Sequence, residues 1–164
     1  MRAPTKAEPD GRAAITQDIV RMTGIDEAMI ERLVRGFYAE IRTDPLLGPI
    51  FADRISDWEH HIAKLCDFWS SVALLTGRYH GQPMQAHLSL PVGAPHFQHW
   101  LRLFEATARR LCPPAAAEHF LERARRIAES LQLGIALRRG SQLPAREPGA
   151  PIPLQINEPR GEAS

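Results

Sequence analysis

The sequence predicts an all-α fold. Four long segments place apolar residues three and four positions apart, as a helix requires, and no segment shows the sustained two-residue alternation of a strand. The 11 aromatic residues (six Phe, three Trp and two Tyr) fall mostly on these apolar stripes. Each large ring buries about 150–250 Å². Four amphipathic helices are therefore expected to share one aromatic-rich core.

Composition excludes several classes of protein. A chain of 164 residues is expected to form one domain with short tails. Its 20 Lys and Arg against 19 Asp and Glu give a net charge of +1, which disfavours nucleic acid as the partner. No run of 18 apolar residues is present, so no membrane partner is expected. Residues 1–10 lack the apolar stretch of a signal peptide. Cys66 and Cys112 lie in apolar surroundings, and two free thiols predict a cytoplasmic location.

The N-terminal part predicts a lead-in followed by one long helix. Residues 1–22 form a flexible lead-in that can include a short helix from Ile15 to Met22. Thr23-Gly24-Ile25-Asp26 resembles a capping box, and the helix after it runs to about Arg42. The dipeptides Asp44-Pro45 and Gly48-Pro49 end it. Its apolar stripe consists of Ile30, Leu33, Val34, Phe37, Tyr38 and Ile41.

Three more long helices are predicted after it, and they complete a domain over residues 23–139. Their expected ranges are 56–77, 95–112 and 115–137. Gly77 is a typical residue for a helix end, and Pro95 is typical of a first turn. Pro113-Pro114 separates the last two helices. Residues 140–164 contain five prolines and little apolar periodicity, so a disordered tail is expected there.

His87 is the most informative single residue. It lies on a short segment bounded by Pro83 and Pro91, just before an aromatic-rich helix. Because the prolines restrict the backbone, the direction of this imidazole is fixed beside apolar helices. A core histidine satisfied by a local hydrogen bond is one reading. An imidazole offered to a ligand held between the helices is the other.

Other polar groups also point toward this core. Tyr38 and Trp100 lie on inward stripes, and each carries a donor that needs a partner when buried. His61 shares a helix face with Leu65, whereas His60 is turned about 100° away. Each group can find its own local partner, and His61 can lie at the margin of the core. Convergence on one shared polar ligand explains them together.

The ordered series of segments resembles the truncated haemoglobins, specifically their third group. It covers about residues 25–137 almost without gaps. The matching segments are Phe37-Tyr38, Asp44-Pro45-Leu46-Leu47-Gly48-Pro49-Ile50-Phe51, Trp58, His61-Ile62-Ala63-Lys64-Leu65, Phe68-Trp69, Gly81-Gln82-Pro83, His87-Leu88-Ser89-Leu90-Pro91, His96-Phe97 and Trp100-Leu101-Arg102-Leu103-Phe104. The resemblance implies a shortened globin, in which a 2-over-2 sandwich of helices surrounds haem b (iron protoporphyrin IX).

The resemblance also implies roles for particular residues. His87 matches the proximal histidine, which binds iron through one ring nitrogen while an acceptor orients the other N–H. Tyr38 and Trp100 match the donors on the ligand side of the haem, where they stabilise negative charge on a bound ligand. His61 matches the histidine at the distal gate.

Four further residues are implied to contact the haem. Phe51, Leu65 and Met84 are expected to pack on the porphyrin. Lys64 is expected to pair with a propionate at the rim, although a solvated lysine is the equal alternative.

The function implied by this resemblance is binding of O₂, NO, CO or another small ligand by a b-type haem. NO dioxygenase or peroxidase-like chemistry extends this expectation. An external electron donor or reductase is then required, because the chain lacks a Gly-x-Gly-x-x-Gly segment. A monomer or weak oligomer is expected. Two alternatives remain at this stage. One is a non-haem zinc or iron bundle using His60, His61, His96 and His99; the other is a cofactor-free interaction or sensor module.

Overall fold

The computed structural model describes residues 11–141 and confirms the all-α prediction. Within this range it contains seven helices and no strand. Their bounds are α1 Gly11–Thr23, α2 Glu27–Thr43, α3 Gly48–Arg54, α4 Trp58–Leu74, α5 Pro83–His87, α6 Ala94–Leu111 and α7 Pro114–Ser141. The predicted flexible residues 1–10 and most of the predicted tail, residues 142–164, lie outside the described residues.

Helix α1 is longer than the short helix that the sequence predicted. It begins at Gly11, so residues 11–14 are helical and not flexible. The reason is tertiary contact, because α1 packs against α4 and α7. Ile19 lies on the core, and the Thr16 hydroxyl donates to the carbonyl of Leu74, an acceptor left open at the end of α4.

The cap of α2 differs from the predicted capping box. Asp26 is the N-cap residue, and its carboxylate accepts from the Met29 N–H at 2.8 Å. Thr23 is instead the last residue of α1, where its hydroxyl donates to the Ile19 carbonyl and accepts from the Ile25 N–H. The predicted apolar stripe of α2 is buried in full, together with Met29.

The core lies between two helix pairs, α2 with α4 and α6 with α7. Helix α6 packs against both α2 and α7, and so joins the pairs. Trp69, Phe104 and Trp100 form a stack with ring centroids 5.1 and 5.5 Å apart. Phe37 meets Phe104 edge-on at 5.2 Å. Gly36 allows α2 to approach α6, because a Cβ there would lie 2.5 Å from Leu111 Cδ1. This packing matches the predicted shared core.

Two predicted helix ends shift in the structure. Helix α4 ends at Leu74, not Gly77, and Leu75 adopts the left-handed conformation with φ 57°. The Leu75 N–H bonds the Ser71 carbonyl, which closes the helix without a glycine. Helix α7 continues to Ser141, so residues 140 and 141 are helical where a tail was expected.

A carboxylate holds the turn that connects α2 to α3. Asp44 Oδ2 accepts from the N–H groups of Leu46 and Leu47 at 3.0 and 2.9 Å. Asp44 Oδ1 accepts from His99 Nε2 at 2.6 Å, which ties this turn to α6. The Asp44 side chain is only 8% exposed. Burial by itself raises the pKa of Asp44, but the bonds from His99, Leu47 and Leu46 outweigh it and leave that pKa below its ordinary value.

The Asp44→Asn variant is expected to lose stability in a pH-dependent way. A carboxyl pKa that is lower in the folded state stabilises the fold above the unfolded pKa, about 3.9. This contribution disappears as the pH falls through the folded pKa. Urea unfolding at pH 7 and at about pH 3 should therefore show a loss at pH 7 that shrinks in acid. Asp53→Asn, at an exposed carboxylate, is the control. An equal loss for Asp44→Asn at both pH values would contradict this account.

Candidate functional site

A cavity of about 260 Å³ lies between the helix pairs, and it gathers most of the predicted site residues. Helices α2, α3, α4, α5 and α6 each contribute at least one of them, and α7 closes one wall. The predicted residues that line it are Tyr38, Phe51, His61, Lys64, Leu65, His87 and Trp100. Of the eight predicted residues, only Met84 is absent from the lining.

His87 stands at the last position of α5 with its ring orientation fixed. Its Nδ1 lies 2.6 Å from the carbonyl oxygen of Pro83, one turn earlier. A carbonyl oxygen can only accept, so Nδ1 carries the proton and donates. In the neutral imidazole Nε2 therefore keeps its lone pair, which is the form in which imidazole binds a metal. Pro83 at the first turn of this five-residue helix fixes where the acceptor stands.

His61 on α4 faces into the cavity, which the sequence alone left undecided. Its Nε2 is buried and has no hydrogen-bond partner within residues 11–141. Burial lowers the pKa of His61, and the nearby Lys64, His87 and His60 lower it further by charge repulsion. The imidazole is therefore neutral at neutral pH. An unpartnered buried nitrogen is costly, so it indicates a group missing from its side of the cavity.

Tyr38 and Trp100 place two donors on the same cavity. Tyr38 is 5% exposed, and burial raises the pKa of its hydroxyl, which stays protonated. Its ring meets Phe51 and His61 edge-on, each with centroids 5.7 Å apart. Trp100 is held by its stack on Phe104. No hydrogen bond joins the Tyr38 hydroxyl or the Trp100 N–H to the described part of the chain.

Lys64 and Met84 lie at the margins of this arrangement. Lys64 is exposed while it still lines the cavity, so this residue lies at the mouth, where the cavity meets solvent. Met84 packs instead against α7, where its sulfur occupies the space beside Gly134. The predicted contact of Met84 with a porphyrin therefore finds no support in the lining. The reason is that α5 turns this side chain toward its neighbouring helix.

A comparison with protein-family models assigns the chain. The model described as bacterial-like globin matches residues 21–132. The chain belongs to the bacterial-like globins. This globin is 36% identical to the group 3 truncated hemoglobin ctb of Campylobacter jejuni over 113 residues, which are 66% of this chain and 89% of the relative. The crystal structure of group III truncated hemoglobin from Campylobacter jejuni matches with a TM-score of 0.64 and 35% identity, covering 68% of this chain and 91% of that one.

These matches confirm the group III truncated haemoglobin resemblance and the truncated-globin fold. Membership of the globin family also carries haem-based binding of small gaseous ligands. Over the residues that the structure describes, none of the helices combines the length and apolar character needed to cross a membrane.

Sequence reasoning missed several walls of this globin's cavity. Tyr79 lies in the irregular segment between α4 and α5, where no periodic pattern indicates which way a side chain points. His96 and Phe97 belong to the matching series, but no contact with a haem was predicted for them. The wall on α7 consists of Ile127, Ala128 and Leu131. These α7 residues are spaced as one face of a helix, but such spacing cannot separate a core contact from a cavity wall.

The zinc or iron alternative loses its ligand set in this structure. His99 is bonded to Asp44, and His96 Nδ1 accepts from the Gly93 N–H at 3.1 Å. His60 is exposed on α4, away from the inward His61. Across residues 11–141 no three His, Cys, Asp or Glu side chains are grouped to hold a metal ion. The four histidines of that alternative therefore do not converge.

The cavity residues fit a haem. The wall is mainly apolar, as a macrocycle requires, and polar groups enter it at only a few positions. His87 and His61 lie close enough for the charge of one to affect the pKa of the other. The neutral His87 ring offers an oriented lone pair on Nε2, whereas His61 Nε2 is buried without a hydrogen-bond partner. Lys64 at the mouth of the cavity suits the acidic propionate groups at the edge of a haem. The cofactor-free alternative leaves these features unexplained.

Proposed function

We propose that this globin holds haem b through His87 and binds O₂, NO or CO on the side that faces Tyr38, His61 and Trp100. The observation that carries the proposal is the orphaned His61 Nε2 on the same mainly apolar cavity as the oriented His87. When bound, haem supplies an iron that coordinates His87 and one small ligand. No Cys-x-x-Cys-His segment is present for thioether attachment, which favours the b type.

The chain's own residues set the properties of the ligand pocket. Tyr38 O–H and Trp100 N–H can donate to a ligand that carries partial negative charge, and these donors act strongly in a water-poor cavity. His61, neutral because of its lowered pKa, can accept or donate a hydrogen bond there. Phe51 and Leu65 pack the porphyrin face. Lys64 pairs with a propionate at the mouth.

Several donors around one ligand favour slow release, which suits redox chemistry better than oxygen delivery. The reaction that we propose is NO + O₂ + e⁻ → NO₃⁻, with peroxide reduction as the related activity. The electron comes from an external donor or reductase, because the chain lacks the dinucleotide-binding segment. The free thiols Cys66 and Cys112 support the cytoplasmic location, where such donors are available.

The redox proposal is tested by following NO in solutions of the reduced, oxygenated protein with a chemical or enzymatic reductant. NO should disappear in proportion to protein, with about one nitrate formed for each NO consumed, as the equation requires. Haem type is read separately: acid–acetone should extract all haem b, because no covalent link holds it. Consumption of NO at the rate of a buffer blank would contradict the redox function while leaving ligand binding intact.

A further inference from the structure

The helix that carries His87 has a single helical neighbour. Of the helices in residues 11–141, only α7 packs closely against α5. The rest of this short segment is held by two side chains: Arg54 donates to Ser89 at 3.3 Å, and Arg139 donates to the Val92 carbonyl at 2.8 Å. Helix α7 therefore supplies the surface on which α5 rests.

The contact between α5 and α7 is a close one. Met84 reaches α7 at Gly134, where a Cβ would lie 2.2 Å from Met84 Sδ and 2.9 Å from Met84 Cε. Leu88 Cδ2 would lie 3.7 Å from the same Cβ. The residues on both sides of His87, Met84 and Leu88, therefore contact α7 at Gly134. Met84 also packs against the cluster that contains Leu131 and Ile135. Met84 is half-buried, and its sulfur fills the space that a side chain at position 134 would occupy.

We infer that Gly134 and Met84 are positioning residues for the proximal histidine. The missing side chain at Gly134 forms a seat for Met84, and this seat sets how far α5, and with it His87 Nε2, stands from the haem. The inference rests on the proposed function, in which His87 is the iron ligand. A side chain at position 134 must displace the end of the Met84 side chain. Because Leu88, on the other side of His87, packs at the same glycine, we expect the displacement to shift α5 as well.

The chain offers a matched control in Gly36. Gly134→Ala and Gly36→Ala each add one methyl group inside a helix, against a flexible side chain 2.2 or 2.5 Å away. Both also gain the same helix propensity. Only Gly134 touches α5, whereas Gly36 faces Leu111 at the α2–α6 contact. A measured difference between the two variants would therefore come from the contact between Gly134 and Met84, and not from the added methyl group itself.

The first measurement is the iron–histidine stretching band in the resonance Raman spectrum of the ferrous protein. Gly134→Ala is expected to shift this band and to accelerate haem loss about tenfold, as typical overpacking costs imply. Gly36→Ala should leave the band in place. Adding Met84→Ala to Gly134→Ala should return the band toward its wild-type position, because it empties the space that the methyl needs. A band unmoved by Gly134→Ala overturns the inference.

The second measurement separates this inference from the proposed function. Urea unfolding of the haem-free protein compares Gly134→Ala, Met84→Ala and the double variant. The seat predicts strong coupling, in which the cost of Gly134→Ala disappears once Met84 is shortened. If the changes in the free energy of unfolding of the two single variants simply add in the double variant, the inferred seat is wrong, whether or not haem binds. A wild-type protein that takes up no haem refutes the proposed function, and the coupling in the haem-free protein then decides the seat alone.

Discussion

Replacing His87 with alanine is expected to weaken haem binding more than any other single change in the cavity. The Pro83 carbonyl accepts from Nδ1 and fixes the orientation of this imidazole, so that Nε2 of the neutral ring is left as a ligand. Loss of an outer partner of a metal ligand typically costs about 10–100-fold in metal affinity. Loss of the ligand itself should exceed that range. Transfer of haem from the variant to an excess of apomyoglobin measures the effect as a rate.

Two controls make the His87 result specific. His60→Ala removes an exposed histidine from α4, close to the cavity but turned away from it, and should change haem loss little. His87→Gly with added imidazole should recover the absorption spectrum of the wild type, because free imidazole can replace the missing ring. If His87→Ala retains haem as tightly as the wild type, then His87 is not the proximal ligand.

The second large effect is expected on ligand release. The double variant Tyr38→Phe with Trp100→Phe removes both hydroxyl and indole donors while it keeps aromatic rings on the wall. A hydrogen bond to a charged group contributes about 1.5–3 kcal/mol, so each donor lost should speed O₂ dissociation by roughly tenfold or more. Release of CO, which carries less negative charge, should change much less. Stopped-flow displacement of O₂ by CO gives the dissociation rate directly.

Tyr79→Phe is the matched control for this double variant. Tyr79 also lines the cavity, but it lies in the segment between α4 and α5, with its N–H bonded to Ser71 Oγ. Removal of its hydroxyl should leave O₂ dissociation unchanged. An equal off-rate in the wild type and in the Tyr38, Trp100 double variant would show that these donors do not reach the ligand.

The sequence predicted those parts of the site that depend on residue patterns within short segments of the chain. Helical spacing places Tyr38 and Trp100 on inward faces, and the flanking prolines mark His87 as a fixed imidazole. Orientation of His61 was not predictable, because its position at the edge of a stripe allows both directions. The folded chain settles that direction, because His61 lines the cavity and its Nε2 is buried.

Contacts between distant residues account for most of what the sequence missed. Asp44 and His99 are 55 positions apart, and no spacing rule indicates that they meet. Met84 was predicted to contact the porphyrin, but its side chain packs beside Gly134 on α7. The sequence of α5 alone contains no sign of this contact. Helix α1 begins earlier than predicted because packing against α4 and α7 outweighs its weak apolar pattern. Tertiary packing decides each of these cases.

We expect one haem to bind between His87 and an open pocket lined by Tyr38, His61 and Trp100. Titration of the apoprotein with hemin, followed by spectra of the ferric, ferrous and CO-bound forms, tests it most directly. The expected result is saturation at one haem per chain, a ferrous spectrum typical of histidine ligation, and a sharp Soret shift on addition of CO. A well-folded protein that gives no Soret band beyond that of free hemin would contradict it.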